Sequence, residues 1–170
     1  MISNNTDQSF KQDIKSLESA LYIEDDWKIS NSFRFYPGIR LTHFEYKKTN
    51  YLNFEPRATL SWILEPDTAL KMSYSKMNQY IHLLSNSGIG LPTDLWISST
   101  DKIKPQTSEQ YSIGLDKDFD NKGISLSVES YYKKLNNVIS YKEGSSFILI
   151  DNLDSVKELN WEEDITSGEG

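Results

Sequence analysis

The chain has no cysteine, which excludes disulfides and thiolate chemistry and leaves the compartment open. It has only two histidines, His43 and His82, and no His-x-x-x-His spacing, so a transition-metal site lacks ligands. No cofactor is expected. A nucleophile elbow, a phosphate-binding glycine loop and a zinc-protease signature are all missing, and nothing points to an enzyme. Basic residues are in the minority, 18 against 25 acidic, for a net charge of -7. That argues against nucleic acid as a partner, because its phosphates call for basic patches. No run of about 18 apolar residues exists, so no membrane-spanning helix is encoded. The opening MISNNTDQSFKQDIKSLESA lacks the apolar stretch of a secretory leader. A mean hydropathy of -0.58 still leaves room for a membrane barrel, whose strands are only half apolar.

What is present is alternation. In FEPRATLSWILEPDTALKMSYSK, residues 54–76, Phe54, Pro56, Ala58, Leu60, Trp62 and Leu64 share one parity, while Glu55, Arg57, Thr59 and Ser61 share the other. Beyond Pro66-Asp67, Leu70, Met72 and Tyr74 face one way and Lys71, Ser73 and Ser75 the other. A period of two means strands with two unlike faces. Six strands are predicted, at 17–29, 33–46, 53–64, 69–80, 107–119 and 124–141. The fold class is therefore all-β, an antiparallel up-and-down meander of six to seven strands. Three divisions follow: a loop or strand remnant over 1–16, the strand-bearing segment over 17–141, and a loop with the start of a further strand over 142–170.

Connections alternate in length. Ser30-Asn31-Ser32, Glu65-Pro66-Asp67-Thr68 and Asp120-Asn121-Lys122-Gly123 are short and built from turn residues. The segments 47–52, 81–106 and everything after 142 are expected to be longer. One rim with tight turns and one with elaborated loops is how transmembrane barrels are built. Apolar registers accompany these hairpins: Trp27 against Phe35, Ile23 against Ile39 and Leu21 against Leu41; Leu64 against Leu70 and Trp62 against Met72; Leu115 against Val128 and Tyr111 against Tyr132. Charges keep to one parity, apart chiefly from Asp25, Lys76 and Lys117. Trp27, Phe33, Phe35, Trp62 and Phe119 lie near the short turns, and Phe44, Tyr46, Phe54, Tyr80, Tyr111 and Tyr132 towards the long loops, as two membrane girdles require. A strand of about 11 residues, tilted about 40–45°, rises about 25 Å, the height of an outer-membrane apolar band.

Three stretches, in order, carry a family resemblance. ALYIEDDWKISNSFRFYPGIRL resembles the barrel hairpin of TonB-dependent outer-membrane receptors, with Tyr-x-x-Asp-x-Trp turning into a strand ending Gly-x-Arg. FEPRATLSWILEPDTALKMSYSK resembles their Pro-Arg strand and its returning partner. IKPQTSEQYSIGLDKDF resembles their Lys-Pro-Glu-Thr-Ser…Tyr-x-x-Gly strand, with Gln106 where glutamate is usual. MNQYIHLLSNSG…LPTDLW is similar to the version found in Bacteroidota receptors. The resemblance implies a plugged barrel in a Gram-negative outer membrane, its wall against lipid and its long loops extracellular. It also implies a plug domain, TonB as the partner that pulls on it, and an imported ligand such as a siderophore, cobalamin, glycan or peptide. No plug and too few strands to enclose one are present here, so the chain is expected to be an internal segment of such a barrel.

Two sets of residues are singled out. Glu24, Asp26, Arg34, Arg40, Glu55, Arg57 and Lys71 are expected to form a polar network facing the lumen. In the segment 81–106, whose apolar content suits a loop folded over a site, His82, Asn86, Asp94 and Trp96 are the candidate ligand contacts; a loop with its own small core is the plainer reading. Two other readings fit the alternation: a soluble β-sandwich binding module and a small complete outer-membrane barrel.

Overall fold

The computed structural model describes residues 14–84, 95–119, 123–142, 162 and 165–170. Almost all of these are strand. β1 (Ser16–Glu24), β2 (Trp27–Lys28), β3 (Phe33–Tyr46), β4 (Thr49–Glu65), β5 (Thr68–Gln79), β6 (Ile81–Leu84), β7 (Leu95–Ser98), β8 (Gln106–Phe119), β9 (Ile124–Tyr141) and β10 (Ile165–Glu169) follow in order. One antiparallel sheet runs β1-β3-β4-β5-β8-β9-β10, with β2 also on β3, and β6 and β7 form a separate hairpin. The five central strands, β3, β4, β5, β8 and β9, are 12 to 18 residues long, far above the roughly 5–6 of ordinary globular strands. The up-and-down meander of the sequence reading is therefore present.

Two hairpins keep the expected register. Trp27 pairs with Phe35, Ile23 with Ile39 and Leu21 with Leu41, while Leu115 pairs with Val128 and Tyr111 with Tyr132. Three expectations need correction. First, the strand at 17–29 is broken at Asp25-Asp26. Asp25 carries the apolar parity, and the break lets its carboxylate accept hydrogen bonds from the Asp26 amide at 2.8 Å and the Trp27 indole at 2.6 Å. Second, the loop expected at 47–52 is a two-residue turn, Lys47-Lys48, with β4 starting at Thr49 and Lys47 at a φ of 56°. Both ends of the β3–β4 hairpin region are thus tight. Third, Leu64 does not face Leu70. Glu65 pairs with Thr68 across Pro66-Asp67, an irregularity follows between Ile63 and Glu65, and Trp62 comes to face Leu70. The bulge moves the register by one residue: continued without it, the Glu65–Thr68 pairing would set Trp62 against Lys71, and with it apolar stays opposite apolar, two residues away from the expected pairing.

Among the described residues the sheet has no buried interior on its apolar side. Leu21, Ile23, Leu52, Phe54, Trp62, Ile113, Leu115, Leu126 and Val128 are all exposed there, Leu21 by 76%. Near the short turns Trp27 packs edge-on against Phe35 and Phe33 against Trp62. The small core lies elsewhere, where the β6–β7 hairpin brings Leu84 and Ile97 onto Ile103, flanked by Ile139, Tyr141 and Ile165. The long connection therefore does carry a core of its own.

Candidate functional site

The charged parity forms one continuous face, and every member of the expected network has an ion-pair partner on it. Arg34 Nη1 lies 3.8 Å from Asp26 Oδ2. Arg57 Nη1 meets Glu24 Oε1 at 2.9 Å, and Lys71 Nζ meets Asp116 Oδ2 at 2.8 Å. Arg40 stands between Glu18 at 3.4 Å and Glu55 at 3.9 Å. Register explains each meeting: Arg40 is directly opposite Glu55, and Glu24, Gly38 and Arg57 form one row across β1, β3 and β4. Gly38 is the low point of that row. A Cβ there would sit 2.9 Å from Arg57 Cγ and 3.1 Å from Glu24 Cγ, so glycine lets the arginine stem cross β3 to reach its glutamate. An open pocket of about 580 Å³ lies over this row, lined by Glu24, Asp26, Tyr36, Arg57, Thr59 and Ser73 among others.

Glu55 anchors a second, buried network. It is only 3% exposed, and its Oε1 accepts from the Asn78 amide at 2.9 Å and from Asn78 Nδ2 at 3.1 Å. The β4–β5 ladder ends at Arg57–Ser75, although β4 continues back to Thr49 and β5 on to Gln79. Beyond that point the carboxylate supplies the acceptor that a neighbouring strand would otherwise supply. Tyr80 Oη is 2.6 Å from Thr42 Oγ1 and accepts from Asn53 Nδ2 at 2.9 Å, and its ring stacks on Phe44 at 4.6 Å. Asn78 and Tyr80 carry the apolar parity of β5, yet they meet the polar parity of β3 and β4. That requires β5 to leave the sheet plane and cross the charged face. Tyr51 Oη donating to the Thr100 carbonyl and Thr49 Oγ1 donating to Asp101 extend the seam.

This corrects the girdle on the long-loop side. Phe44 and Tyr80 are buried on the charged face, and Tyr46 shares Phe44's parity, whereas Phe54, Tyr111 and Tyr132 do stand exposed on the apolar face. Of the loop candidates, His82 is 2% exposed, with Nε2 at 3.1 Å from Ser99 Oγ, and burial alone lowers its pKa below the usual histidine value. Trp96 is 55% exposed, on the opposite side of the hairpin from His82 and Ile97. Asn86 and Asp94 lie outside the described residues. Sequence reading missed Thr42, Asn53, Asn78 and Tyr80. Their signal was a polar run, Asn78-Gln79-Tyr80, closing a strand whose parity had been apolar. Among the described residues no three histidine, aspartate or glutamate side chains group to hold a metal ion.

Residues 2–157 match the family described as TonB dependent receptor-like, beta-barrel. No curated protein matches the chain. Among solved structures it is similar to the alcaligin outer-membrane receptor FauA from Bordetella pertussis, with a TM-score of 0.52 and 16% identity over 81% of this chain and 23% of that one. At that identity the likeness speaks for the fold alone, and the chain spans less than a quarter of that receptor.

Proposed function

The chain belongs to the TonB-dependent receptor β-barrel family, and from that premise we propose that it forms part of the wall of an outer-membrane receptor for active import of a nutrient ligand. Members of this family are transporters rather than enzymes. In this reading the apolar parity lies against outer-membrane lipid and the charged parity against the lumen and a plug domain. TonB acts on the plug, and the segment 81–106 faces the extracellular side. The ligand class is a siderophore, cobalamin, glycan or peptide, met at the long-loop rim, where Trp96 is exposed and Asn86 and Asp94 precede it in sequence, while His82 is turned to the buried side of the hairpin and supports that rim from beneath.

The observation that carries the reading is the sorting of the faces. All seven network residues are ion-paired on one side, while leucine, isoleucine, valine and tryptophan stand exposed on the other. An apolar expanse of that size on a water-soluble protein invites aggregation; against hydrocarbon it is satisfied. Arg57→Cys and Leu60→Cys, each in the full-length receptor in membranes, test it with a water-soluble thiol reagent. The expected result is modification at 57 and protection at 60. Strong labelling at 60 with protection at 57 overturns the orientation.

A further inference from the structure

Three charged side chains stand in line on the apolar face and a fourth, Glu169, opposite Asn136, lies diagonal to the last of them; of these the sequence reading had set apart Lys76 alone. Lys76 on β5 is directly opposite Glu109 on β8, which is directly opposite Lys134 on β9. Lys76 Nζ lies 3.6 Å from Glu109 Oε1, and Lys134 Nζ lies 3.5 Å from Glu169 Oε2 on β10. The signs alternate across four strands. Directly beneath runs a row of the same parity, Tyr74, Tyr111 and Tyr132, again mutually opposite, with the first two rings 4.9 Å apart. Below the tyrosines the face is Ile113 and then Leu70, Leu115 and Val128.

The far end is bounded in the same way. Lys117 continues the parity, and its ammonium donates to Asp67 Oδ1 and Thr68 Oγ1 at 2.8 Å each and to Glu65 Oε2 at 3.2 Å. Between Glu109 and Lys117 β8 presents only Tyr111, Ile113 and Leu115 on that side. At roughly 3.3 Å per residue and a tilt of about 40–45°, this interval rises about 20 Å, somewhat less than the roughly 25 Å of a typical apolar band. A lysine in mid-bilayer costs about 2–4 kcal/mol but little at the interface, and tyrosine is suited to the level where rings meet head groups.

We propose that the Lys76–Glu109–Lys134–Glu169 ladder is the wall's contact with phosphate-bearing lipid head groups on the long-loop side. The tyrosine row is the edge of the hydrocarbon, and Lys117 with its two acids is the matching contact at the short turns. The ladder carries no net charge, so its ammoniums meet phosphates while its carboxylates hold them in line. The proposal rests on the lipid-facing reading of this parity.

Nitroxide labels on Ile113→Cys and Val128→Cys sample the band, and labels on Glu109→Cys and Lys134→Cys sample the ladder, each in the full-length receptor in bilayers. Collisions with oxygen report hydrocarbon, and collisions with a water-soluble nickel chelate report the aqueous and head-group region. Oxygen dominance at 113 and 128 with nickel dominance at 109 and 134 is the expected pattern. Oxygen dominance at all four overturns the ladder while leaving the lipid-facing reading intact. Nickel dominance at 113 and 128 removes that reading, and the ladder with it. Should a ladder variant fail to assemble, the unsubstituted receptor decides. Lys76 and Lys134 are expected to react with a water-soluble amine reagent in intact bilayers, and protection of both refutes the assignment.

Discussion

At the scale of the residue, Gly38 and Glu55 do opposite things. Gly38 matters for what it leaves out. Gly38→Ala places a methyl within 2.9 Å of Arg57 Cγ, and the arginine stem must move off its glutamate. The ion pair itself is half exposed and contributes little, so the cost is steric, about 1–3 kcal/mol. Removing the obstacle tests this: Gly38→Ala combined with Arg57→Ala is expected to lose less than the sum of the single changes, read as unfolding midpoints in detergent. Strict additivity counts against the contact. Glu55 matters for what it supplies. Glu55→Ala leaves the Asn78 amide without its acceptor, a loss of about 1–3 kcal/mol. Glu55→Gln keeps one oxygen and loses less, and equal losses would mean that the carboxylate's hydrogen bonds are not the cause. The shared face of the network was legible in the sequence because parity puts its charges on one side, but the partners were not: Arg40 meets Glu55 through the Lys47-Lys48 turn, and Lys71 meets Asp116 because β5 pairs with β8. The Asn78–Tyr80 contacts were not, because they depend on β5 leaving the sheet plane, and no alternation rule encodes that.

At the scale of the element, the β6–β7 hairpin has a built-in acid sensitivity. His82 faces inward with Ser99, and the shift in its pKa comes from desolvation, with no charge contributing. The docked form therefore holds the neutral ring. Exposed, the same ring takes a proton near pH 6.5; docked, it does so only at lower pH. The docked hairpin is thus at full strength above about pH 6.5 and weakens as pH falls below that towards the docked pKa. Amide exchange of residues 95–98, corrected for its intrinsic pH dependence, is expected to speed up between pH 7 and pH 5, and His82→Gln to abolish the change. Unaltered protection across that range would falsify the link. The β4–β5 turn has a different device: the Lys117 ammonium, and after it the Thr68 hydroxyl, hold the Asp67 carboxyl below the usual carboxylate range, so that tie is lost only in stronger acid. Strand existence was plain from period-two patterning, whereas boundaries and register were less so. Thr49 to Leu52 break the alternation of their neighbours, with Asn50 on the apolar parity and Tyr51 on the polar one, and the two lysines before them gave no turn signature. A single bulge at Ile63–Glu65 was enough to displace a hairpin that its apolar pairs alone could not fix.

At the scale of the whole molecule, the wall holds together through backbone ladders and a charged face, and it presents its largest apolar surface outward. Folding in water still leaves about half of the surface of these side chains exposed, so the usual driving force, burial of apolar area, is weakened on that side of the sheet. Along the described sheet β1 and β10 each have a neighbour on one side only, and a lone edge is a template for pairing with other chains. The small core under the β6–β7 hairpin is too local to offset either exposure. Residues 1–170 produced alone in buffer are therefore expected to sediment as aggregate and to remain dispersed only in detergent. The same segment within the full-length receptor, extracted in detergent, is expected to stay monodisperse with protected amides in β3, β4 and β8. Analytical ultracentrifugation and amide exchange on the two forms decide it. A detergent-free monomer with a cooperative unfolding transition would mean that the apolar face finds a protein partner within the chain itself, and the soluble β-sandwich reading would then replace the barrel wall.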